Sequence, residues 1–217
     1  MESQSLKGGR SALRRRTDRG IYDRETINNI LDAAYLCHLG FQHQGQPFII
    51  PTAYGRVDNQ LYLHGAVKSR TMMALTEGAQ LCLSVTHLDG LVLARSAFHH
   101  SMNYRSVILF GQCRLVEDDS EKLLGMKAIT EQILAGRWDE CRQPNTGEMK
   151  ATTILAFPIE EGSAKIRSGG PKDDPNDYAL DIWAGVVPLK VVPQAVEEDP
   201  LAKLNLPHPP SVSALIK

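Results

Sequence analysis

Apolar residues change their spacing along this chain, and each change marks an element. Ile27, Ile30, Leu31 and Ala34 recur at the interval of one helix face, with Asp23 ahead of them as an N-cap. The period then shortens. Residues 35–42, 47–57 and 61–66 are β-prone runs broken by His43-Gln44-Gly45-Gln46 and Asp58-Asn59-Gln60, a pattern that predicts hairpins. A short helix is predicted over 69–76, followed by strands over 81–86, 91–94 and 104–116. Leu123, Leu124, Ala128 and Ile129 restore helical spacing within 120–134, and strand-like runs follow at 151–159 and 164–167. Six or more strands joined mostly by tight turns, with few helices between them, predict a mainly β, antiparallel barrel over a doubly wound parallel sheet.

The two ends lack this patterning. Residues 1–20 carry Arg10, Arg14, Arg15, Arg16 and Arg19 among Ser and Gly, and read as a mobile basic arm, either solvated or touching phosphate. Glu2, Asp18 and the missing amphipathic period count against an organellar transit peptide. The folded domain is expected over 21–190, and 191–217 as a Pro-rich tail lying on the surface or on a partner subunit.

Composition narrows the function classes. Lys and Arg number 24 against 25 Asp and Glu, a net charge of −1, which excludes a basic surface spread over the whole molecule. Hydrophobic residues make up 42%, enough for a folded core. The longest apolar stretches, 107–110 and 153–158, fall far short of the ~18 residues of a membrane span. Cys37, Cys82, Cys113 and Cys141 form no C-x-x-C pair and no secretory leader precedes them, so reduced thiols and a cytoplasmic location are expected.

Three stretches carry candidate chemistry. In Leu61-Tyr62-Leu63-His64-Gly65-Ala66-Val67-Lys68-Ser69-Arg70-Thr71 a strand runs through glycine into a helix start. Cations at such a start cost roughly 0.3–1 kcal/mol each, because the exposed N–H groups and dipole favour anions. Lys68 and Arg70 nevertheless stand there, with the nearest acid, Glu77, at the wrong end. A bound phosphate taking the first-turn N–H groups, the Ser69 hydroxyl and both cations accounts for this order; solvated surface cations with Ser69 as a cap are the other reading. The second stretch is His99-His100-Ser101-Met102-Asn103-Tyr104-Arg105-Ser106, where Arg105 can reach a ligand and Tyr104 can stack on one, or where a hairpin loop is simply polar. Neighbouring histidines on a strand point to opposite faces, and no H-E-x-x-H is present, so no metal site is expected. The third joins Ser168-Gly169-Gly170-Pro171-Lys172 to Asp181-Ile182-Trp183-Ala184-Gly185, where Trp183 either covers a flat ring or only packs. No dinucleotide glycine fingerprint, P-loop or nucleophile elbow occurs.

Taken in order, "LYLHGAVKSR", "HHSMNYRSVILFG" and "SAKIRSGGPKDDPNDYALDIWAGVVPL" resemble the pyridoxamine 5′-phosphate oxidase-like, FMN-binding split-barrel proteins, nearest the nitroimidazole-reductase-like branch, over about residues 20–190. The resemblance implies a six-stranded antiparallel Greek-key split barrel and a homodimer with FMN at the subunit interface. It assigns the FMN phosphate to Lys68, Ser69 and Arg70, and the ribityl or ring edge to His64 and Gly65. Pro51 and Thr52 would border the isoalloxazine, Asn103, Tyr104, Arg105 and Ser106 would add polar contacts, and Trp183 would reach the flavin from the other subunit. The Arg-rich C-terminal signature of the true oxidases is absent from this Pro-rich end, which counts against vitamin B6 oxidation. Some split-barrel relatives hold haem instead of flavin, and seven histidines keep that alternative open.

The expected function is an FMN-dependent oxidoreductase. It would take a hydride from a reduced nicotinamide donor and reduce a small, flat, electron-poor substrate, with His64 as the candidate proton donor. A non-catalytic flavin or haem carrier is the alternative from another class. A nucleic-acid-binding barrel using the arm is disfavoured, because interleaved basic and aromatic residues are lacking elsewhere.

Overall fold

Asp23 caps the first helix as the spacing predicts: its carboxylate accepts from the Thr26 N–H at 2.8 Å, and α1 (Arg24–Asp32) turns Ile27, Ile30 and Leu31 into the core. The computed structural model describes residues 5–202 and 206–216. Its strands are β1 (Gly20–Ile21), β2 (Cys37–His43), β3 (Gln46–Thr52), β4 (Tyr54–Val57), β5 (Gln60–Ala66), β6 (Leu81–Leu93), β7 (Ser101–Gly111), β8 (Arg114–Leu115), β9 (Thr152–Pro158), β10 (Glu161–Arg167) and β11 (Gly185–Pro188). The later helices are α2 (Arg70–Thr76), α3 (Asp119–Ile133), α4 (Thr146–Ala151) and α5 (Pro210–Leu215).

The strands form two antiparallel sheets. One has seven strands in the order β1-β10-β7-β6-β2-β3, with β11 added on β6; the other has four, β4-β5-β9-β8. Leu39, Leu83 and Leu109 from the first sheet meet Leu63, Leu155 and Phe157 from the second in one buried cluster, closed by α1 and by Met72 and Leu75 of α2. Each leucine so buried contributes roughly 1.5–3 kcal/mol. A smaller cluster of Tyr62, Ile154, Ala156 and Ile129 joins α3 to the other face of the four-stranded sheet. Gly55 permits that contact, because a Cβ there would lie 2.2 Å from the Ala128 backbone carbon.

The split-barrel class is as expected, but the architecture is an open pair of sheets with eleven strands among the described residues, where the pattern predicted six or more and the resemblance a six-stranded barrel. Two causes are visible in the chain. The run 47–57 divides at Ala53, sending β3 to one sheet and β4 to the other. Conversely, 81–86 and 91–94, expected as separate strands, belong to one 13-residue strand that bulges, with a register shift between Leu88 and Gly90. At the outer edge of the larger sheet, β3 pairs only with β2 and carries Pro47 and Pro51.

The segment expected to be a mobile arm is anchored over its described part. Leu6 is buried in the main core, and Arg10 pairs with Glu161 at 2.8 Å while lying over the Phe110 ring. Among the described residues no helix is long and apolar enough to cross a membrane.

Candidate functional site

The chain at the end of β5 sets up the first part of the site. Tyr54 pairs with Leu63 on β5, and just ahead of it the end of β3, with Pro51 and Thr52, pairs with His38 and Cys37 of β2. A Cβ on Gly65 would sit 2.7 Å from Met72 Cγ, so the absence of a side chain lets α2 close onto β5. The turn between them is tight, with the Ser69 N–H donating to Ala66 O at 2.8 Å, and it presents Lys68, Ser69 and Arg70 together. Ser69 occupies the N-cap position with β-region backbone, yet its hydroxyl makes no capping bond. Among the described residues neither Lys68 nor Arg70 has an acidic partner. The Arg70 guanidinium instead stands 4.6 Å from the centroid of Phe48 on β3. Two cations without counter-charge, a free hydroxyl and a ring that fixes one cation form a cradle suited to a phosphate ester. The residues present thus fit the phosphate end of a flavin nucleotide.

His64 opens on a different environment. It lines a cleft of about 360 Å³ with Met126, Ile129, Ile133, Trp138, Cys141 and Arg142, at whose rim Arg142 and Glu148 pair at 2.7 Å. His64 is exposed on the wall of this cleft, and partial desolvation there lowers its pKa from the ordinary value, which favours the neutral imidazole. Glu148 is pulled down to about 2, chiefly by the Arg142 guanidinium. The cleft is thus apolar within, charged at its mouth, and supplied with one neutral nitrogen. None of its residues apart from His64 stood out in the sequence. The signal for α4, which closes it, was legible as Asn145-x-x-Glu148, and the structure realises both halves of that capping box.

The other expected site residues lie elsewhere on the protomer. Asn103, Tyr104, Arg105 and Ser106 belong to β7, separated from β3 by β6 and β2. Arg105 is engaged by Asp89 through two bonds of 2.9 and 2.8 Å, which holds the Asp89 carboxyl below its usual range. Asn103 accepts from Arg167 and donates to Gly169 O at 3.1 Å, while Ser106 Oγ lies 3.4 Å from Lys165 O. Trp183 is 68% exposed just ahead of β11. One protomer therefore brings Gly65, Lys68, Ser69 and Arg70 to one turn beside Phe48 of β3, the strand that also carries Pro51 and Thr52, while His64 faces the cleft on the opposite side of β5 and Asn103 to Ser106 and Trp183 lie apart. No group of three or more His, Cys, Asp or Glu gathers as a metal site among the described residues.

Known proteins share this fold. The flavocytochrome Anf3 from Azotobacter vinelandii is 35% identical, with 98% of this chain and 99% of that one covered at a TM-score of 0.91. The FAD- and haem-binding protein from Mycobacterium smegmatis is 37% identical over 91% of this chain and 97% of its own, with a TM-score of 0.87. A putative 5-nitroimidazole antibiotic resistance protein from Bacteroides thetaiotaomicron, 20% identical over 68% of this chain and 86% of its own, shares the fold with a TM-score of 0.58. A search of the curated proteins gives no match. The family model for pyridoxamine 5′-phosphate oxidase matches residues 23–166, a span that contains both sheets except β1 and β11 and the whole of the corner from Pro51 to Arg70 but stops before the last residue of β10. The chain belongs to the flavin-binding pyridoxamine 5′-phosphate oxidase-like family.

Proposed function

We propose that this protein is a flavin- and haem-binding oxidoreductase, with the flavin phosphate on Lys68, Ser69 and Arg70 and the haem in the cleft beside His64. The observation that carries the reading is the adjacency of two sites of unlike chemistry at one strand end: an uncompensated cationic turn, and an apolar cleft with a neutral imidazole. The two relatives of 35% and 37% identity support it, one a flavocytochrome and the other a binder of FAD and haem. The second of these, a binder of FAD, favours FAD over the FMN expected from the sequence.

His64 changes role in this reading. An imidazole whose pKa is lowered by partial desolvation carries little extra proton to donate near pH 7, but it keeps the lone pair an iron ligand requires. Met126, Ile129, Ile133 and Trp138 would cover the macrocycle, and the Arg142 side of the rim would face its carboxylates. Bound flavin would supply the exchange between hydride and single electrons, and Lys68, Ser69 and Arg70 would hold its phosphate. A nicotinamide donor and a small electron-poor acceptor remain the proposed partners in turnover.

A homodimer belongs to the same proposal. Asn103 to Ser106 and Trp183 lie too far along the larger sheet to join the corner within one chain, and a second copy can bring them to it. Exposed Ile182 and Trp183 provide apolar area for that contact.

The test is the absorption spectrum of the purified protein, with mass spectrometry of the small molecules released on heating. Flavin bands together with a Soret band, and bleaching by NADH or NADPH with turnover of an acceptor, are expected. Bands without turnover would identify a carrier, and a spectrum lacking both chromophores overturns the reading. Lys68→Ala with Arg70→Ala is expected to abolish retained flavin without unfolding the chain.

A further inference from the structure

A second cleft, of about 590 Å³, lies along another face of α3, and among the described residues it shares only Ile133 with the cleft beside His64. Leu124, Lys127, Ala128, Glu131 and Gln132 line it at the i, i+3, i+4, i+7, i+8 spacing of one helix face. Val57 of β4 and Tyr35, just past α1, join the lining, and Ala214 and Leu215 of α5 complete it.

Polar bonds fix the frame around this apolar lining. The Gln132 amide donates to Asp32 O at 3.0 Å and to Ala34 O at 2.7 Å, which ties α3 to the end of α1. Gly136, with φ +83°, turns the chain after α3, and the Glu131 carboxylate accepts from the Gly136 and Trp138 N–H groups at 2.7 and 2.9 Å. Glu140 then holds the start of α5, accepting from the Ser211 N–H at 3.0 Å and from the Ser211 hydroxyl. α5 is thus seated through its first turn, while Leu215 near its end stays exposed, as do Leu124 and Ile133. A helix docked to bury apolar area would cover these side chains, and this one leaves them lining open space.

The charges around the cleft do not cancel. Asp32 is taken by Arg56 through two bonds of 2.5 Å, and Glu131 by its two backbone donors. Lys127 makes no ion pair among the described residues. An apolar lining with one uncompensated ammonium favours an anion carried on a hydrocarbon body. With Asp32 and Glu131 on the same walls, a single negative charge is better placed there than a phosphate dianion. Tyr35 is the one aromatic residue of the lining, so the walls suit a flexible aliphatic chain more than a flat ring.

We infer that this cleft binds a medium-chain fatty acid, with the carboxylate on Lys127 and the chain among Leu124, Ile133 and Leu215. Its volume falls within the roughly 300–1,000 Å³ of small-molecule sites. The site is separate from the Lys68–Arg70 turn, and it does not rest on the flavin or haem reading.

The experiment titrates the full chain as purified with octanoate by calorimetry, with octan-1-ol as the uncharged probe of equal length and acetate as the anion without a chain. Octanoate is expected to bind, octan-1-ol to bind about tenfold more weakly, and acetate to give no measurable heat. Lys127 and Ala135 are both exposed on the lining, so substitutions there spare the core, and an unchanged Tm checks this. Lys127→Gln should weaken octanoate about tenfold and leave octan-1-ol unchanged, and Lys127→Arg should restore most of the affinity. Ala135→Phe should weaken both eight-carbon probes by filling the space they take. A wild type that does not bind octanoate overturns the proposal. So does an octanoate affinity that ignores both Lys127→Gln and Ala135→Phe, or one that is lost only in His64→Leu, which would place the probe in the other cleft.

Discussion

Gly65 and Met72 face each other across the junction of β5 and α2 so closely that one hydrogen is all the space allows on the glycine. Met72 is 4% exposed and packed in the main core, so it cannot swing away into solvent. Gly65→Ala is therefore expected to push α2 outward and to cost about 1–3 kcal/mol by overpacking. Thermal denaturation should show a lowered Tm, and because the Lys68–Arg70 turn moves with the helix, retained flavin should fall in parallel. An unchanged Tm would show that the helix tolerates the methyl group.

Phe48 holds Arg70 by its ring face and stacks on Phe41 at 5.6 Å between centroids. Phe48→Leu keeps an apolar side chain but removes the cation–π contact, worth about 0.5–1 kcal/mol at an exposed site. Flavin affinity, followed by fluorescence quenching, should weaken about two- to fivefold. Lys68→Ala in that background should weaken it further, since Lys68 acts without the ring.

His64 gives the protein an acid sensitivity of defined sign. Its folded-state pKa lies below the ordinary 6.5, so as pH falls the unfolded chain takes up a proton there before the folded one does. The stability this group contributes is complete above pH 6.5 and is lost as pH falls toward the lowered value. Haem bound to a neutral imidazole should accordingly keep its Soret band through pH 6.5 and release it at more acidic pH. A release midpoint above 6.5, or a band that survives in His64→Leu, would remove His64 as the ligand.

The cysteines should separate by rate. Burial pushes the Cys37 and Cys113 thiols up to about 12, whereas Cys141 is exposed and lines the His64 cleft. Only about one thiol in ten thousand is ionised at pH 8 when its pKa is 12. A disulfide reagent should modify Cys141 quickly and Cys37 and Cys113 only on unfolding, and a loaded cleft should slow Cys141.

Local rules carried the sequence reading furthest where a residue's cause lies within a few positions of it. The Asp23 cap, the apolar face of α1 and the cations at Lys68 and Arg70 are of that kind, and the structure places them accordingly. Features that depend on distant partners were invisible. Leu6 reads as part of a polar arm because the core that buries it is built from residues far along the chain. Phe48 became part of the phosphate corner only because β4 turns the chain back beside β5. Asp89-Gly90 carries the composition of a turn, and only the continued pairing of β6 with β7 makes it a bulge. Arg167 ends a strand pattern in the sequence, and that Asn103, Gly169 and Gly170 hold its guanidinium, with no carboxylate among the described residues, is a fact of three dimensions.

The two prolines on β3 limit how copies of this protein can grow onto one another. Proline has no N–H to offer, so Pro47 and Pro51 leave gaps in the donor row along the outermost strand. Ile49 between them is 73% exposed, which would otherwise invite a neighbouring backbone to dock and propagate into fibres. Continuous ribbon growth through this margin is interrupted, so a second copy that meets β3 does so through side chains, in contacts that can close and stop.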